Sequence, residues 1–388
     1  MEIKWSDRIS ELPPYLFAEI DKKKAECIAK GVDVIDLGVG DPDIPTPSHI
    51  IGAAAKALKD PANHRYPSYA GMAEFRAAAA GWFEKRFGLK LNPDTEVLAL
   101  IGSKEGVAHA PMAFVNPGDP ALIPDPGYPV YPVSVAFAGG RPHVMPLLKE
   151  NGFLPDFDAI PSEVASRATM MFLNYPNNPT TAIADGAFFE KVVRFAHDNN
   201  IVVCHDAAYT EIAFDGFSPP SFLQTPGAKE VGIEFHSLSK TFSMTGWRIA
   251  FAAGSERAIA ALGKVKTNID SGAFQAVQMA GIEALTAEDP GFKDRADTYR
   301  LRRDIFCKGL DKAGLPYHKP LSTFYVWFET PPGVTSEQFS SMLLEQCGVV
   351  ITPGNGFGEF GEGYVRASIT FDTERIREAA DRLASLSL

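Results

Sequence analysis

The sequence predicts an α/β protein with a large, mostly parallel sheet between helices and a second, smaller α+β domain. In the middle of the chain, continuous apolar runs such as "EVLALIG" and "IVVCHD" alternate with amphipathic stretches such as "GAFFEKVVRFAHDNN". Such runs are typical of parallel strands that helices cover on both faces. Nearer the carboxyl terminus, a charged helix precedes the strands "TFYVWFE", "GVVITPG" and "YVRASIT" and a last helix. Helices that are separate from strands in this way favour an α+β unit.

The length of the chain also favours two domains. It has 388 residues, and single hydrophobic cores stop growing at about 250–300 residues. We assign residues 46–281 to the large domain, and residues 1–45 together with 282–388 to the small one.

Composition and charge limit the classes of partner. The formal net charge of -11 leaves no basic excess to neutralise phosphates, so we expect no nucleic-acid partner. The N-terminal segment lacks the apolar core of a signal peptide, and the sequence has no run of about 18 apolar residues. We therefore expect a cytoplasmic protein without a membrane partner.

The cysteines and histidines do not show the spacing of a metal site. No Cys-x-x-Cys pair and no His-Glu-x-x-His pattern occurs, so we expect neither a zinc site nor a disulfide framework. We interpret His205 and His236 as packing residues at strand ends. The four cysteines are widely spaced, at Cys27, Cys204, Cys307 and Cys347.

Polar side chains follow several predicted strands where each strand ends. Ser103 comes after "EVLALIG" where a helix should begin, and the free N–H groups of a helix start favour an anion. Asn178 follows "MMFLNYP", and Asp206 comes directly after "IVVCH". A carboxylate at that depth is costly unless it is paired. The alternatives are helix N-caps at Ser103 and Asp206 and ordinary turn chemistry at Asn178.

The segment "SLSKTFSMTGWR" adds a lysine among hydroxyls. Read alone, Lys240 is an ordinary surface charge. Read with the other strand ends, Ser237, Ser239 and Arg248 could surround a phosphate dianion, while Lys240 could bind an aldehyde and Asp206 a protonated ring nitrogen. Nearby cations lower the pKa of a lysine, which favours its neutral, nucleophilic form. One molecule that needs all three groups is pyridoxal 5′-phosphate.

At this point the chain resembles the class I aminotransferases of the fold-type I pyridoxal-phosphate enzymes. The segments that carry the resemblance follow the family's order along most of the chain: "LGVGDPDIPTP", "HRYPSYAG", "GSKEG", "PDPGYPVY", "NYPNNPT", "HDAAYTEI", "SLSKTFSMTGWR" and "YVRASIT". The resemblance implies a homodimer with shared active sites that moves an amino group between an L-amino acid and a 2-oxo acid by a ping-pong mechanism.

The resemblance also implies roles for individual residues. It makes Lys240, Asp206 and Tyr209 catalytic. The implied cofactor contacts are Ser103, Lys104, Glu105, Tyr128, Asn178, Asp206, Tyr209, Ser237, Ser239, Lys240 and Arg248, with Tyr66 reaching the partner subunit's cofactor. The implied substrate contacts are Gly40, Arg366, Asn178, Lys104 and, from the neighbouring subunit, Tyr15.

Narrower signs concern the substrate. The segments "PPYLFAEIDKKKAE", "GVGDPDIPTP" and "STFYVWFETP" look most like those of LL-diaminopimelate aminotransferases, which act in lysine biosynthesis. The better-studied branch carries a glutamate in its interface tyrosine segment, where this chain has Tyr69 and Ala70. Alanine, aspartate and aromatic aminotransferases share the remaining motifs. A cystathionine β-lyase-type C–S lyase on the same fold is a further alternative.

Two other motifs have weaker support. "SLSK" matches Ser-x-x-Lys, the nucleophile motif of penicillin-binding enzymes, but the Ser-Asp-Asn and Lys-Thr-Gly elements do not occur. "GFGEFG" matches the dinucleotide fingerprint, which must open a helix. Because a predicted strand follows it, we expect a hairpin loop near the substrate entrance.

Overall fold

The computed structural model describes residues 3–10, 12 and 17–386. Tyr15 lies outside these residues. The helices are α1 (Asp7–Ser10), α2 (Phe17–Ala29), α3 (Ser48–Ala57), α4 (Ala73–Phe87), α5 (Ser103–Phe114), α6 (Val130–Phe137), α7 (Ser162–Ala165), α8 (Gly186–Asn199), α9 (Ala228–Val231), α10 (Leu238–Thr241), α11 (Glu256–Lys266), α12 (Gln275–Thr286), α13 (Phe292–Ala313), α14 (Ser336–Cys347) and α15 (Thr373–Ala384). Short 3₁₀ helices span Pro61–His64, Lys149–Asn151, Phe157–Ala159, Phe222–Gln224, Thr245–Trp247, Gly354–Phe357 and Glu359–Gly361.

The strands form one large sheet and two small ones. They are β1 (Ile35–Asp36), β2 (Val97–Leu100), β3 (Pro120–Asp125), β4 (Arg141–Pro146), β5 (Met170–Leu173), β6 (Val202–Asp206), β7 (Gly232–Ser237), β8 (Ala250–Gly254), β9 (Tyr325–Glu329), β10 (Val349–Val350), β11 (Thr352–Pro353) and β12 (Tyr364–Ser368). The large sheet has the order β2-β8-β7-β6-β5-β3-β4. Only β8 runs against its neighbours, so the prediction of a mostly parallel sheet is confirmed.

Strand β5 shows why continuous apolar runs predicted a sheet that is covered on both faces. Its four residues are all buried. Met170 and Phe172 belong to one hydrophobic cluster, whereas Met171 and Leu173 belong to another. Successive side chains of a strand point to opposite faces, so the two clusters lie on the two sides of the sheet.

Helix α8 forms where its apolar spacing predicted it. The Asp185 side chain accepts a hydrogen bond from the backbone N–H of Phe188 at 2.8 Å, which caps the start of the helix. Phe188, Val192 and Ala196 are buried at helical spacing. The helix ends at Asn199, and the next residue, Asn200, caps it in the left-handed conformation with φ of 59°.

The smaller unit is built on a three-stranded antiparallel sheet in the order β11-β12-β9. Helices α13 and α15 pack together beside it. The predicted strand "GVVITPG" is divided, because β10 pairs in parallel with β1 while β11 joins the antiparallel sheet. The pairing of β1 with β10 brings the N-terminal segment to the smaller unit.

The boundary assigned from the sequence, residue 281, falls within a helix. Residue 281 lies inside α12, which continues to Thr286 and packs on α3 and α4 of the larger unit. We propose that the larger unit extends through this helix. The side chains of Tyr209, Ile212 and Phe214 nevertheless pack in the hydrophobic cluster of the smaller unit, so the two units share a packed boundary beside the site.

Two further observations complete the fold. Within the described residues, no helix is both long and apolar enough to span a membrane. All four cysteines are free thiols.

Candidate active site

The parallel strands place the predicted site residues at one edge of the large sheet. Asp206 ends β6, and Ser237 ends β7 immediately before the short helix that carries Lys240. The β5 strand leads into the loop that carries Asn178. Carboxyl ends of neighbouring parallel strands meet at one edge, which explains why residues far apart in sequence converge here.

The Lys240 amine faces the N-terminal glycine segment. Its Nζ donates a hydrogen bond to the Gly40 carbonyl oxygen at 2.8 Å and lies 5.4 Å from the centre of the Phe324 ring. A Cβ atom at Gly40 would lie 2.0 Å from the hydroxyl oxygen of Tyr325. Only glycine therefore allows the backbone to pass between Lys240 and Tyr325.

Burial changes the acid–base chemistry of Lys240. It lowers the pKa of the amine, and the positive charges of Arg366 and Arg248 act in the same direction, against the opposing effects of Tyr325 and Asp41. Desolvation disfavours the charged form of a lysine. The neutral amine, which is the nucleophilic form, is thus populated at lower pH than for an exposed lysine.

Asp206 is a buried carboxylate with an unused oxygen. Tyr131 donates its hydroxyl hydrogen to Asp206 Oδ2 at 3.1 Å, but Oδ1 has no hydrogen-bond partner among the described residues. Asn174 Nδ2 donates to the Asp206 main-chain oxygen at 2.6 Å. Burial raises the pKa of Asp206, while the Tyr131 hydrogen bond and His205 act in the opposite direction. A cationic donor at Oδ1 would satisfy the remaining hydrogen-bonding capacity of this carboxylate and balance its charge.

The two strand-end histidines lie behind Asp206, around the buried carboxylate of Glu234. His205 Nδ1 is 3.3 Å and His236 Nε2 is 3.4 Å from Glu234 Oε1, and Ser221 donates to the other oxygen. Burial would raise the pKa of Glu234, but the two histidines hold it well below its usual range. His205 Nε2 also accepts a hydrogen bond from the Tyr175 backbone N–H at 3.2 Å, which connects the ends of β5, β6 and β7.

A second group of residues is suited to an anion. Helix α5 begins at Ser103 after Gly102, which has φ of 78°, and the Ser103 and Lys104 N–H groups have no hydrogen-bond acceptor among the described residues. A Cβ atom at Gly102 would lie 2.1 Å from Arg248 Nη2, so the guanidinium lies against this helix start. A helix N-terminus beside a guanidinium favours phosphate.

The two serines of "SLSK" lie beside this group. Leu238 N donates to Ile249 O at 3.3 Å, which brings the Ser237–Ser239 segment next to Arg248. Both serines are buried. Ser237 Oγ accepts a hydrogen bond from the Ser239 N–H at 3.2 Å and caps α10.

Arg366 is a buried cation without a carboxylate partner. It is 5% exposed. Its Nη1 donates to Asn178 Oδ1 and its Nη2 to the Gly38 carbonyl oxygen, both at 2.7 Å. Its Nε has no partner, and no ion pair to it is found within the described residues. An uncompensated buried charge is costly, so the arrangement favours an incoming carboxylate.

Aromatic side chains surround the space between these groups. The Arg366 guanidinium lies 4.2 Å from the centre of the Tyr325 ring and 4.7 Å from that of Phe357. Tyr128 packs edge-on against Tyr131, with ring centroids 5.8 Å apart. Burial, with the charge of Asp206, raises the pKa of Tyr128 to about 12, so its hydroxyl stays protonated.

Sequence reasoning missed two hydroxyls of this site. Tyr325 contacts the Tyr209 hydroxyl at 3.2 Å and packs on Arg366, and Tyr131 binds Asp206. Both lay inside quoted segments, "STFYVWFETP" and "PDPGYPVY". Their roles depend on which neighbour each side chain meets across the sheet and between the units, which the sequence does not encode.

The remaining predicted residues lie at the periphery of this arrangement. Lys104 is exposed, and so is Tyr66, with 90% of its surface accessible. The Glu105 carboxylate turns back to accept a hydrogen bond from the Ile101 N–H at 2.9 Å and pairs with Lys266. The cofactor contacts assigned to these three residues stay predictions, and Tyr15 lies outside the described residues.

The segment "GFGEFG" does not open a helix. It lies in two 3₁₀ helices between β11 and β12, which are antiparallel neighbours, so the expectation of a hairpin loop is confirmed. The backbone N–H groups of Glu359 and Phe360 donate to the Asp125 carboxylate at 3.1 and 3.0 Å. This contact holds the loop to the end of β3.

Comparison with known proteins agrees with this geometry. The family model described as aminotransferase class I and II matches residues 32–383. The chain belongs to this family. Its fold and its dependence on pyridoxal phosphate, both predicted from the sequence, are thereby confirmed.

Individual relatives cover nearly the whole chain. It is 58% identical over 382 residues, or 98% of each protein, to an LL-diaminopimelate aminotransferase of Syntrophobacter fumaroxidans. The substrate-bound structure of BacF from Bacillus subtilis has a TM-score of 0.94 and 42% identity, and covers 100% of this chain and 99% of that one. An aspartate aminotransferase mutant of Thermus thermophilus has a TM-score of 0.91 and 31% identity, with 99% of each chain covered.

The residues of this aminotransferase fit pyridoxal phosphate. The unpartnered Asp206 Oδ1 suits a protonated ring nitrogen, and the free helix start beside Arg248 suits a phosphate. Lys240, with its lowered pKa, suits an aldehyde. The ring nitrogen, the phosphate and the aldehyde of the cofactor thus each have a suitable group in the site.

We expect the Tyr131→Phe substitution to move the acid limb of the kcat/KM profile to higher pH. The lost hydrogen bond stabilises ionised Asp206, so its removal raises the pKa of that carboxyl. The Tyr175 hydroxyl donates to Phe153 O at 2.8 Å, away from Asp206, so Tyr175→Phe is the control. An unmoved acid limb in Tyr131→Phe, or an equal shift in both variants, would contradict this role.

Proposed function

We propose that this aminotransferase moves an amino group between LL-diaminopimelate and 2-oxoglutarate. In lysine biosynthesis this reaction runs from tetrahydrodipicolinate and glutamate to LL-diaminopimelate and 2-oxoglutarate. The observation that carries this proposal is the buried Arg366, which is 5% exposed and has no carboxylate partner within the described residues. The substrate follows from the relatives named as LL-diaminopimelate aminotransferases that match 98% of the chain.

The chain's own residues have distinct tasks in the transfer. Arg366 would bind the substrate α-carboxylate with its free donors, and Asn178, held by Arg366 Nη1, would be kept in position. The neutral amine of Lys240 would accept the α-proton at Nζ and return a proton to the product side. Asp206 Oδ1 would accept a hydrogen bond from the ring nitrogen and keep it protonated. Pyridoxal phosphate, when bound, supplies the ring that accepts the electrons left on the α-carbon.

The phosphate would be held at the helix start. We propose that the N–H groups at Ser103, the hydroxyls of Ser237 and Ser239 and the Arg248 guanidinium bind it. Tyr209 would donate to the cofactor's phenolic oxygen, with its own hydroxyl oriented by Tyr325 at 3.2 Å. This assignment uses donors that already lie beside the α5 start.

Substrate selection depends on groups beyond the α-carbon. Lys104 is exposed at the start of α5, and we propose that its ammonium binds the distal carboxylate of LL-diaminopimelate. Tyr69 is 48% exposed and occupies the segment where the better-studied branch has a glutamate. We propose that the distal ammonium is bound by groups other than a glutamate of this segment.

We also propose a homodimer in the cytoplasm. Tyr66 exposes 90% and Phe274 43% of its surface, which is unusual for large aromatic side chains in a monomer. A second copy that covers them would bring Tyr66, and Tyr15, to the partner subunit's cofactor and substrate.

A substrate screen tests the proposed reaction. We expect LL-diaminopimelate to be the best amino donor with 2-oxoglutarate as acceptor, ahead of alanine, aspartate and phenylalanine, with parallel double-reciprocal plots. Release of pyruvate and ammonia from cystathionine is the readout for the alternative lyase. Intersecting lines would count against the ping-pong mechanism. Faster turnover of another donor would contradict the assignment of LL-diaminopimelate as the substrate.

We expect Arg366→Ala to lower kcat/KM for all amino donors by a similar factor, equivalent to about 2–5 kcal/mol, because they share the α-carboxylate. Lys104→Met is the matched comparison. It should reduce kcat/KM for LL-diaminopimelate while leaving alanine, which has no distal carboxylate, nearly unchanged. A donor-selective loss in Arg366→Ala would contradict its assigned role.

A further inference from the structure

A buried lysine outside the site connects two of its elements. Lys266 is the last residue of α11 and is 1% exposed. Its Nζ donates to Asp270 Oδ1 and Oδ2 at 2.9 and 2.8 Å, and to Glu105 Oε2 at 3.2 Å. A lysine is almost never fully buried unless it is paired, and this one is paired with two carboxylates.

The carboxylates around Lys266 have the spacing of metal ligands, but the Lys266 ammonium already lies between them. One ligand atom each from Glu105, His109 and Asp270 lies within 4.8 Å of the others. The Lys266 ammonium donates to both carboxylates, and His109 Nδ1 lies 2.9 Å from Glu105 Oε1. The positive charge that these carboxylates require is therefore supplied by the chain itself.

Glu105 connects Lys266 to the start of α5, where the site has its free N–H groups. Glu105 Oε2, which binds Lys266, also accepts the hydrogen bond from the Ile101 N–H at 2.9 Å. Ile101 and Glu105 flank Gly102 and Ser103, the turn where Arg248 lies. The position of the carboxylate thus fixes the conformation of the turn that carries the free N–H groups.

The Asp270 side reaches the segment that carries Tyr66. Asp270 Oδ1 accepts a hydrogen bond from the Gly272 N–H at 2.7 Å. Gly272 has φ of 87°, and a Cβ atom there would lie 2.8 Å from the Ser68 carbonyl oxygen. The loop after α11 therefore lies directly against the backbone two residues beyond Tyr66.

We propose that Lys266 is a positioning residue for the cofactor phosphate. Its ammonium holds Glu105 and Asp270 together, and through them it fixes both the α5 start and the segment after Tyr66. This proposal rests on the proposed function, because that assigns the phosphate to the α5 start. Without the ammonium, two partly buried carboxylates would face each other uncompensated, and their repulsion would move the turn.

The test compares two ligands that differ only in the phosphate. Apo-protein is titrated with pyridoxal phosphate and with pyridoxal, for wild type, Lys266→Met and Lys191→Met. Lys191 is exposed on α8, and no ion pair to it is found within the described residues. We expect Lys266→Met to raise the Kd of pyridoxal phosphate about tenfold or more while the Kd of pyridoxal stays within about twofold. Lys191→Met should change neither.

Two results would overturn the proposal. One is an unchanged Kd for pyridoxal phosphate in Lys266→Met, and the other is an equal loss for both ligands, which marks a general structural role. If Lys266→Met does not fold, Lys266→Gln is judged by the same criteria, because it also removes the ammonium but keeps a polar side chain that can donate hydrogen bonds to the two carboxylates. Arg248→Met separates the two hypotheses: if it leaves pyridoxal phosphate binding intact, the phosphate assignment itself fails.

Discussion

The parallel pairing of β5, β6 and β7 is the constraint on which the site depends. Their register brings the loop with Asn178, the carboxylate of Asp206 and the helix with Lys240 to the same edge of the sheet. Behind that edge, His205 and His236 surround Glu234 and connect the three strand ends. A shift of one residue in β6 would turn the Asp206 side chain to the other face of the sheet.

The site collects buried charges whose partners are incomplete. Within the described ranges, Asp206 has one oxygen without a donor, and Arg366 has no carboxylate partner although it is only 5% exposed. Each is costly in the free protein and gains a partner from a ligand. A cofactor with a cationic ring nitrogen would pair with Asp206, and a substrate carboxylate would pair with Arg366. Binding of these two ligands therefore offsets the free-energy cost of burying both charges.

The sequence predicted the elements with strong local signals. Continuous apolar runs predicted the large sheet, and the helical spacing of apolar residues predicted α8. The strand ends also pointed to Asp206 and Lys240, whereas the family resemblance implied Arg366. Contacts between distant segments were beyond this reasoning: Tyr325 meets Tyr209 across the boundary of the two units. Glu105, whose cofactor contact stays a prediction, pairs with Lys266, 161 residues later in the chain.

The central claim is that Lys240 binds the aldehyde of pyridoxal phosphate. Borohydride reduction of the cofactor-loaded protein fixes that bond, and peptide mass analysis then locates the label. The account predicts a pyridoxyl adduct on Lys240, and on no other of the chain's lysines at comparable yield. An unmodified Lys240 in cofactor-saturated protein, or an adduct at another lysine, would contradict it.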